Sequence, residues 1–403
     1  MKNPLFAYPS FLFFLVLRVL TTMANQMMMV VVAWQMYDLT NSAYDLGMVG
    51  LAQFLPSLAL VLVTGQVADR FDRRYVLAWC LAGQFLIAVA LVAGTLEGWL
   101  NRETILLASV ALGATKAFQM PTQQALTPQL VPLAILPRAL AAASSGNQAA
   151  IIVGPAVGGF IYVAGAQVVY IACGLLFLAA TACVFFIRVA QLPRAPQPVT
   201  LQSLFAGISF IWNRKEVLGA ISLDLFAVLL GGATALLPIY AKDILHVGPW
   251  GLGMLRSAPA VGALIMSLYL AQHPIQRHVG RVMFGSVALY GVATLVFALS
   301  TSFVLSLAAL AFSGMFDMVS VVIRQSLVQL DTPDEMRGRV SAANSIFIGA
   351  SNQLGEFESG MTAGWFGAVP SVLIGGVGTL LVVAAWIRLF PGLARRHTLV
   401  TPA

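Results

Sequence analysis

The chain has 403 residues, of which 59% are apolar and only 9% charged. A soluble domain carries about a quarter charged residues, so this chain is not built for water. The formal charge is +7; where that excess falls along the chain removes any need for a nucleic-acid partner.

In chain order, Lys2 is followed by a long apolar run without an A-x-A-like cleavage site, which reads as a retained first membrane helix rather than a removed signal. Segments of about 20 apolar residues, enough to cross a bilayer as a helix, then recur. They lie near 10–37, 45–67, 75–96, 104–125, 138–163, 167–187, 216–240, 250–271, 282–300, 303–325, 338–363 and 368–390, twelve in all. The longest connection runs from Arg188 to Asn213. It opens with Pro193, Pro196 and Pro198 and continues as Leu201–Trp212, which can form an amphipathic surface helix. The expected organisation is a six-helix bundle over 1–190, a linker over 191–214 and a second six-helix bundle over 215–403. Cys80, Cys173 and Cys183 lie in apolar stretches with no disulfide or metal spacing. The Met27-Met28-Met29 run reads as adaptable apolar lining.

With the N-terminus inside, 16 basic residues fall in cytoplasmic loops and tails, two (Arg102 and Lys242) outside, and four within spans. This asymmetry predicts both termini on the cytoplasmic side, as in a multi-pass protein of a bacterial inner membrane. The halves also repeat. At an offset of 201, Gln124, Pro132, Arg138, Ala141, Ala142, Gly154 and Gly159 fall on Gln325, Pro333, Arg339, Ala342, Ala343, Gly355 and Gly360. Leu46-Gly47-Met48 recurs as Leu252-Gly253-Met254. Six spans per half is even, so the two halves form a parallel repeat.

After the second span the chain reads Gly65-Gln-Val-Ala-Asp69-Arg70-Phe-Asp72-Arg73-Arg74. This resembles the G-x-x-x-D-R-x-G-R-[KR] loop of the major facilitator superfamily, with Asp72 where the second glycine is usual. The corresponding loop of the second half, Arg277–Arg281, keeps only its end. The resemblance implies an all-α fold of twelve spans. It also implies a cytoplasmic latch in which Gly65 permits close helix contact and Asp69 meets the start of span 11 with Arg337 or Arg339; Arg70, Arg73 and Arg74 complete the gating motif. Span 5 carries Gly154-Pro155-Ala156-Val157-Gly158-Gly159, which resembles the antiporter motif of exporters in that superfamily; Ala150 and Ala143 stand where further glycines are usual. The stretch Gly113–Pro132 and the span 11 residues Arg337-Gly338-Arg339 are similar to the subfamily of enterobactin exporters and macrolide efflux pumps.

Eight charged residues fall inside spans: Arg18, Lys116, Arg256 and Arg324 against Asp224, Asp317, Glu356 and Glu358. Each costs about 2.5–3.5 kcal/mol at the bilayer centre, so they are expected to pair and to face protein or water. Arg18 and Asn25, Lys116 and Gln123, and Asp317 and Arg324 are each seven apart, nearly two turns, and share a helix face. In the superfamily, spans 1, 4, 7 and 10 line the central cavity. The resemblance therefore implies cavity roles for Arg18, Asn25, Lys116, Gln119, Gln123, Asp224 and Asp317. Arg324 sits nearer the cytoplasmic end and reads equally as a gate or loop residue. A buried carboxylate can carry a coupling proton, and Glu356, with Asp224 or Asp317, is the candidate.

No nucleophile, nucleotide or metal motif is visible, and His246, His273, His278 and His397 lie in loops or the tail, so an enzyme is not expected. No cofactor beyond a proton gradient, and no obligatory protein partner besides membrane lipid, is called for. The expected function is proton-coupled export of a siderophore or drug-like organic molecule by alternating access. Uptake of a small polar metabolite, or movement of a lipid or lysolipid, stays open.

Overall fold

The computed structural model describes residues 4–188 and 201–399. Among them no strand occurs. The helices are α1 (Pro9–Thr40), α2 (Ala43–Arg70), α3 (Arg73–Glu97), α4 (Arg102–Leu126), α5 (Leu136–Ile161), α6 (Ala166–Phe186), α7 (Leu201–Asn213), α8 (Lys215–Leu230), the single turn α9 (Leu237–Ile239), α10 (Gly248–Gln272), α11 (Val279–Leu299), α12 (Phe303–Leu330), α13 (Asp334–Phe366), α14 (Ala368–Leu389) and the short α15 (Pro391–Ala394). Ten spans among the described residues are long and apolar enough to cross a membrane. α4 and α13 are as long but more polar, because they carry Lys116, Gln119 and Gln123, and Asn352, Glu356 and Glu358.

The seventh span is not the single helix that 216–240 suggests. α8 stops at Leu230 before Gly231 and Gly232, a 3-10 turn follows over Ala233–Leu236, and after α9 a π turn runs over Tyr240–Ile244. Two glycines in succession disfavour continuation, and Pro238 offers no backbone donor. The Tyr290 hydroxyl donates to the Gly231 carbonyl at 3.2 Å, satisfying an acceptor at the break.

Two compact units emerge. The first comprises Met1–Asn41, Ala52–Val199 and Gly248–Ser257. In it α1 packs on α5 and α6, and α3 on α4 and α6. Phe11, Phe14 and Leu17 of α1, Leu77 and Leu81 of α3, and Phe177 of α6 are fully buried. Met27 and Met28 belong to this core, with Met27 against Gly158, so most of the methionine run serves packing rather than lining. The Tyr170 hydroxyl donates to Gln35 Oε1 at 2.6 Å and Gln35 Nε2 to Thr95 Oγ1 at 3.3 Å, tying α6, α1 and α3.

The second unit comprises Ser42–Leu51, Thr200–Val247 and Ala258–Ala403. Leu223 of α8, Met283 of α11 and Leu327 of α12 form one buried cluster. The amphipathic segment after the linker is helical as α7 and packs on α13, where Gly207 meets the Arg339 carbonyl; residues 191–200 of the linker lie outside the described residues.

The repeat is visible in matching contacts. Gly113 of α4 sits on the Gln53 backbone of α2, and Gly314 of α12 sits on the Pro259 backbone of α10, with no room for a Cβ at either. Gly159 of α5 meets Pro249 and Gly253, while Gly360 of α13 meets Ala43 and Gly47. The repeated glycines are thus contact points where backbones touch, the packing expected of helices in lipid.

Candidate functional site

The deepest charges lie in the second unit. Arg324 of α12 reaches Asp224 of α8 at 3.1 Å (Nη2 to Oδ2), with side chains only 3% and 6% exposed. Arg324 Nε and Nη1 have no hydrogen-bond partner among the described residues. Asp317, nearly two turns earlier on α12 and half-buried, lies within electrostatic reach of both Asp224 and Arg324. Tyr290 of α11 lies within reach of both carboxylates and bonds the broken end of α8. Arg324 thus pairs with Asp224 beside a helix break, with Asp317 near enough to feel both charges.

Of the residues proposed from sequence, Asp224 and Asp317 meet here. Arg324, read there as a possible gate, is the counter-ion of Asp224. Its seven-residue spacing from Asp317 was visible in the sequence; its partner on α8 was not. Tyr290 was not anticipated, and nothing in its local sequence marks it. Glu356 belongs to a different contact: it is half-buried on α13, and its carboxylate lies against Gly50 at the start of α2. Glu358 is half-buried on the same helix.

The first unit holds the other candidates. Lys116 Nζ donates to Gln53 Oε1 at 3.0 Å. Gln119 is buried and accepts from Gln84 Nε2 at 2.8 Å, so its amide is engaged in α3–α4 packing. The Arg18 guanidinium stands 5.9 Å from the Phe14 ring centre, a cation–π distance. Arg18 Nε, Asn25 Oδ1 and Gln123 Nε2 are buried atoms with no hydrogen-bond partner among the described residues. Arg256, in the α10 segment of this unit, donates to the Met29 carbonyl at 3.2 Å. The antiporter-like residues Gly154, Pro155, Gly158 and Gly159 are all buried, with Gly154 on Gln26 and Gly158 on Met27.

The gating motif is described in part, because the surroundings of Gly65 and the side chains of Asp69 and Arg337 lie outside the described residues. Arg70 and Arg339 are exposed. Arg73 donates to the Ala125 carbonyl at 3.0 Å. Asp72, the departure from the motif, has a local role as the N-cap of α3. Its Oδ1 accepts from the Arg74 backbone N–H at 2.9 Å, and its Oδ2 pairs with Arg74 Nη2 at 2.7 Å. The Arg74 hydrogen bond holds the Asp72 carboxyl below its ordinary value.

A second ionic node was not foreseen. Arg396, counted from sequence as one more cytoplasmic-tail charge, is 8% exposed. It grips Asp331 with two bonds, 2.6 and 2.9 Å, and also pairs with Glu216. The Asp331 hydrogen bond, more than any other contact, holds the guanidinium above its ordinary value. The Arg396 carbonyl accepts from the Gly280 N–H at 3.0 Å, so the tail ties the starts of α8 and α11 to the end of α12.

Comparison with known proteins decides the family. The Major Facilitator Superfamily model matches residues 14–356. The chain belongs to the major facilitator superfamily. It is a membrane carrier, not an enzyme. It is 26% identical over 375 residues to the uncharacterized MFS-type transporter YfiS of Bacillus subtilis, covering 88% of this chain and 86% of that one. It is 25% identical over 406 residues to the enterobactin exporter EntS of Citrobacter koseri, covering 96% and 93%. Among solved structures, a bacterial homologue of the human lysosomal transporter Spinster superposes with a TM-score of 0.78 at 13% identity, covering all of both chains. A bacterial homologue of the iron transporter ferroportin reaches 0.71 at 17% identity, covering 98% and 100%. These likenesses carry the facilitator fold.

Proposed function

We propose that this facilitator exports a siderophore-like or drug-like organic molecule by alternating access, driven by proton entry, with both termini in the cytoplasm of a bacterial cell. The observation that supports the coupling is the buried Asp224–Arg324 pair with a second carboxylate, Asp317, within electrostatic reach of it. A proton on one carboxylate leaves Arg324 to the other, so protonation selects between two arrangements of α8 and α12. The break after Leu230, directly beyond Asp224, gives α8 a place to bend when that choice changes. Export is supported by the similarity to an enterobactin exporter over nearly the whole chain and by the span 5 motif. The cytoplasmic termini are supported by the basic residues, 16 against two. Arg18, Asn25, Lys116 and Gln123 are the proposed substrate contacts in the first unit, and Asp69 with Arg337 or Arg339 the proposed latch. Glu356 remains a candidate second proton carrier.

The test is efflux from cells lacking their own exporters, across catechol siderophores, macrolides and dyes. Export of one compound class, abolished by a protonophore and lowered by at least about tenfold in Asp317→Asn, is expected. Unaltered efflux in both Asp317→Asn and Asp224→Asn removes the coupling role. Accumulation instead of efflux replaces export with uptake.

A further inference from the structure

A cavity of about 520 Å³ opens on the first unit beside the turn between α2 and α3. Val67 and Phe71 come from the end of α2 and the turn after it. Tyr75, Val76, Trp79 and Cys80 come from the first two turns of α3, and Ala114, Thr115 and Phe118 from α4. The size lies within the range of small-molecule sites. α3 and α4 pack along one another and α2 closes on α4 at Gln53 and Gly113. Towards the α2–α3 turn the three helices leave this groove between them. Its floor is apolar, and its rim is aromatic and open: Trp79 is 78% exposed, Tyr75 63% and Phe71 58%.

The rim differs from an ordinary lipid-facing surface in two respects. First, it ends in a basic turn. Arg70, Arg73 and Arg74 stand against two acids, Asp69, whose side chain lies outside the described residues, and Asp72, which is engaged with Arg74. Arg73 is anchored to the Ala125 carbonyl at the end of α4, beside the groove, while Arg70 is exposed. Second, the Trp79 indole N–H and the Tyr75 hydroxyl have no hydrogen-bond partner among the described residues, so the aromatic wall presents polar edges to its occupant. An apolar trough, donors at headgroup depth and a cationic end match, in that order, an acyl chain, ester carbonyls and a phosphate. Tryptophan and tyrosine concentrate at that depth of a bilayer, and basic residues there attract anionic lipid.

We propose that the α2–α3–α4 groove is a binding site for one anionic phospholipid, with an acyl chain between Val76, Cys80 and Ala114 and the phosphate at Arg70. The site is separate from the transport reading and stands or falls without it. Lipid bound there packs directly against the basic turn that carries the gating motif.

The experiment is native mass spectrometry of the full-length protein purified in detergent and titrated with phosphatidylglycerol or phosphatidylcholine. Arg70→Gln, Trp79→Ala and Ala114→Phe, which fills the groove, are compared with the wild type, each first checked for a monodisperse elution profile. The wild type is expected to retain one phosphatidylglycerol in preference to phosphatidylcholine. Arg70→Gln should reduce that preference about fivefold, and Ala114→Phe or Trp79→Ala should reduce binding of both lipids. Equal retention of the two lipids by the wild type overturns the proposal. So does a preference that survives both groove variants, because the lipid is then held by charge elsewhere.

Discussion

The two units bury polarity in different ways. In the first, the buried polar bonds join neutral groups: Gln84 to Gln119, and Tyr170 to Gln35 to Thr95. In the second, full charges are buried: Asp224 with Arg324 inside the bundle, and at its end Arg396, held by the partly exposed Asp331 and Glu216. A neutral bond does not respond to a proton within the physiological range, whereas an ion pair is made or broken by one. The halves share a repeat and its glycine contacts, yet among the described residues the buried ion pairs lie in the second. In the first, the Arg18 guanidinium stands over the Phe14 ring and Lys116 donates to the Gln53 side-chain oxygen.

That contrast can be broken most forcefully at Arg324. Arg324→Met leaves Asp224 buried without its counter-ion and is expected to destabilise the protein by about 3–5 kcal/mol. Adding Asp224→Asn should restore most of the loss. In the first unit, Gln84→Leu strands only the Gln119 amide and should cost about 1–3 kcal/mol. Thermal unfolding of the purified variants, with the double variants closing each cycle, measures both; equal losses in the two units would erase the distinction.

The tail node gives the next effect. Arg396→Ala removes charged hydrogen bonds to Asp331 and Glu216 and should cost about 1.5–3 kcal/mol. The partly exposed Arg74–Asp72 pair of the first unit should contribute no more than about 1 kcal/mol when Arg74 is truncated to Ala. Protease sensitivity of the 389–403 segment, which should rise in Arg396→Ala and stay unchanged in Arg74→Ala, separates unfastening of the tail from general instability.

The smallest effect sharpens the motif departure. Asp72→Ala loses the α3 cap, about 1 kcal/mol, whereas Asp72→Gly, restoring the residue usual in the superfamily, costs only a few tenths. The Asp72 carboxyl is held below its ordinary value by Arg74. Its contribution is therefore present above the unfolded-state value of about 3.9 and disappears as pH falls through the lower folded-state value. Wild type and Asp72→Ala should differ in thermal midpoint at pH 7 and converge as pH falls below 4. A gap that stays constant would show that the cap acts without its charge.

The spans were legible because a bilayer demands continuous apolar length, and only α4 and α13 blur that signal, through polar residues such as Lys116 and Glu356. The repeat was legible because proline, arginine and glycine recur in register. The break in the seventh span was signalled by Gly231-Gly232 but passed over, since an uninterrupted apolar run outweighs two glycines on a hydropathy reading. The charged residues were identifiable as candidates, because a charge in a span needs a reason. Their pairing was not, because Arg324 and Asp224 are 100 residues apart and any of four cations could have met any of four acids.

By itself, then, the sequence determined that this is a twelve-span carrier of two repeated halves, through length, hydropathy and register, which are properties of local chain and solvent. Tertiary structure alone decided which charges meet. It placed Met27 and Gln119 in packing, sent Arg396 from an apparent loop charge into a buried node, and made an N-cap of Asp72. Each of these depends on which helix face meets which neighbour, and that is set by the packing of the whole bundle rather than by any one segment.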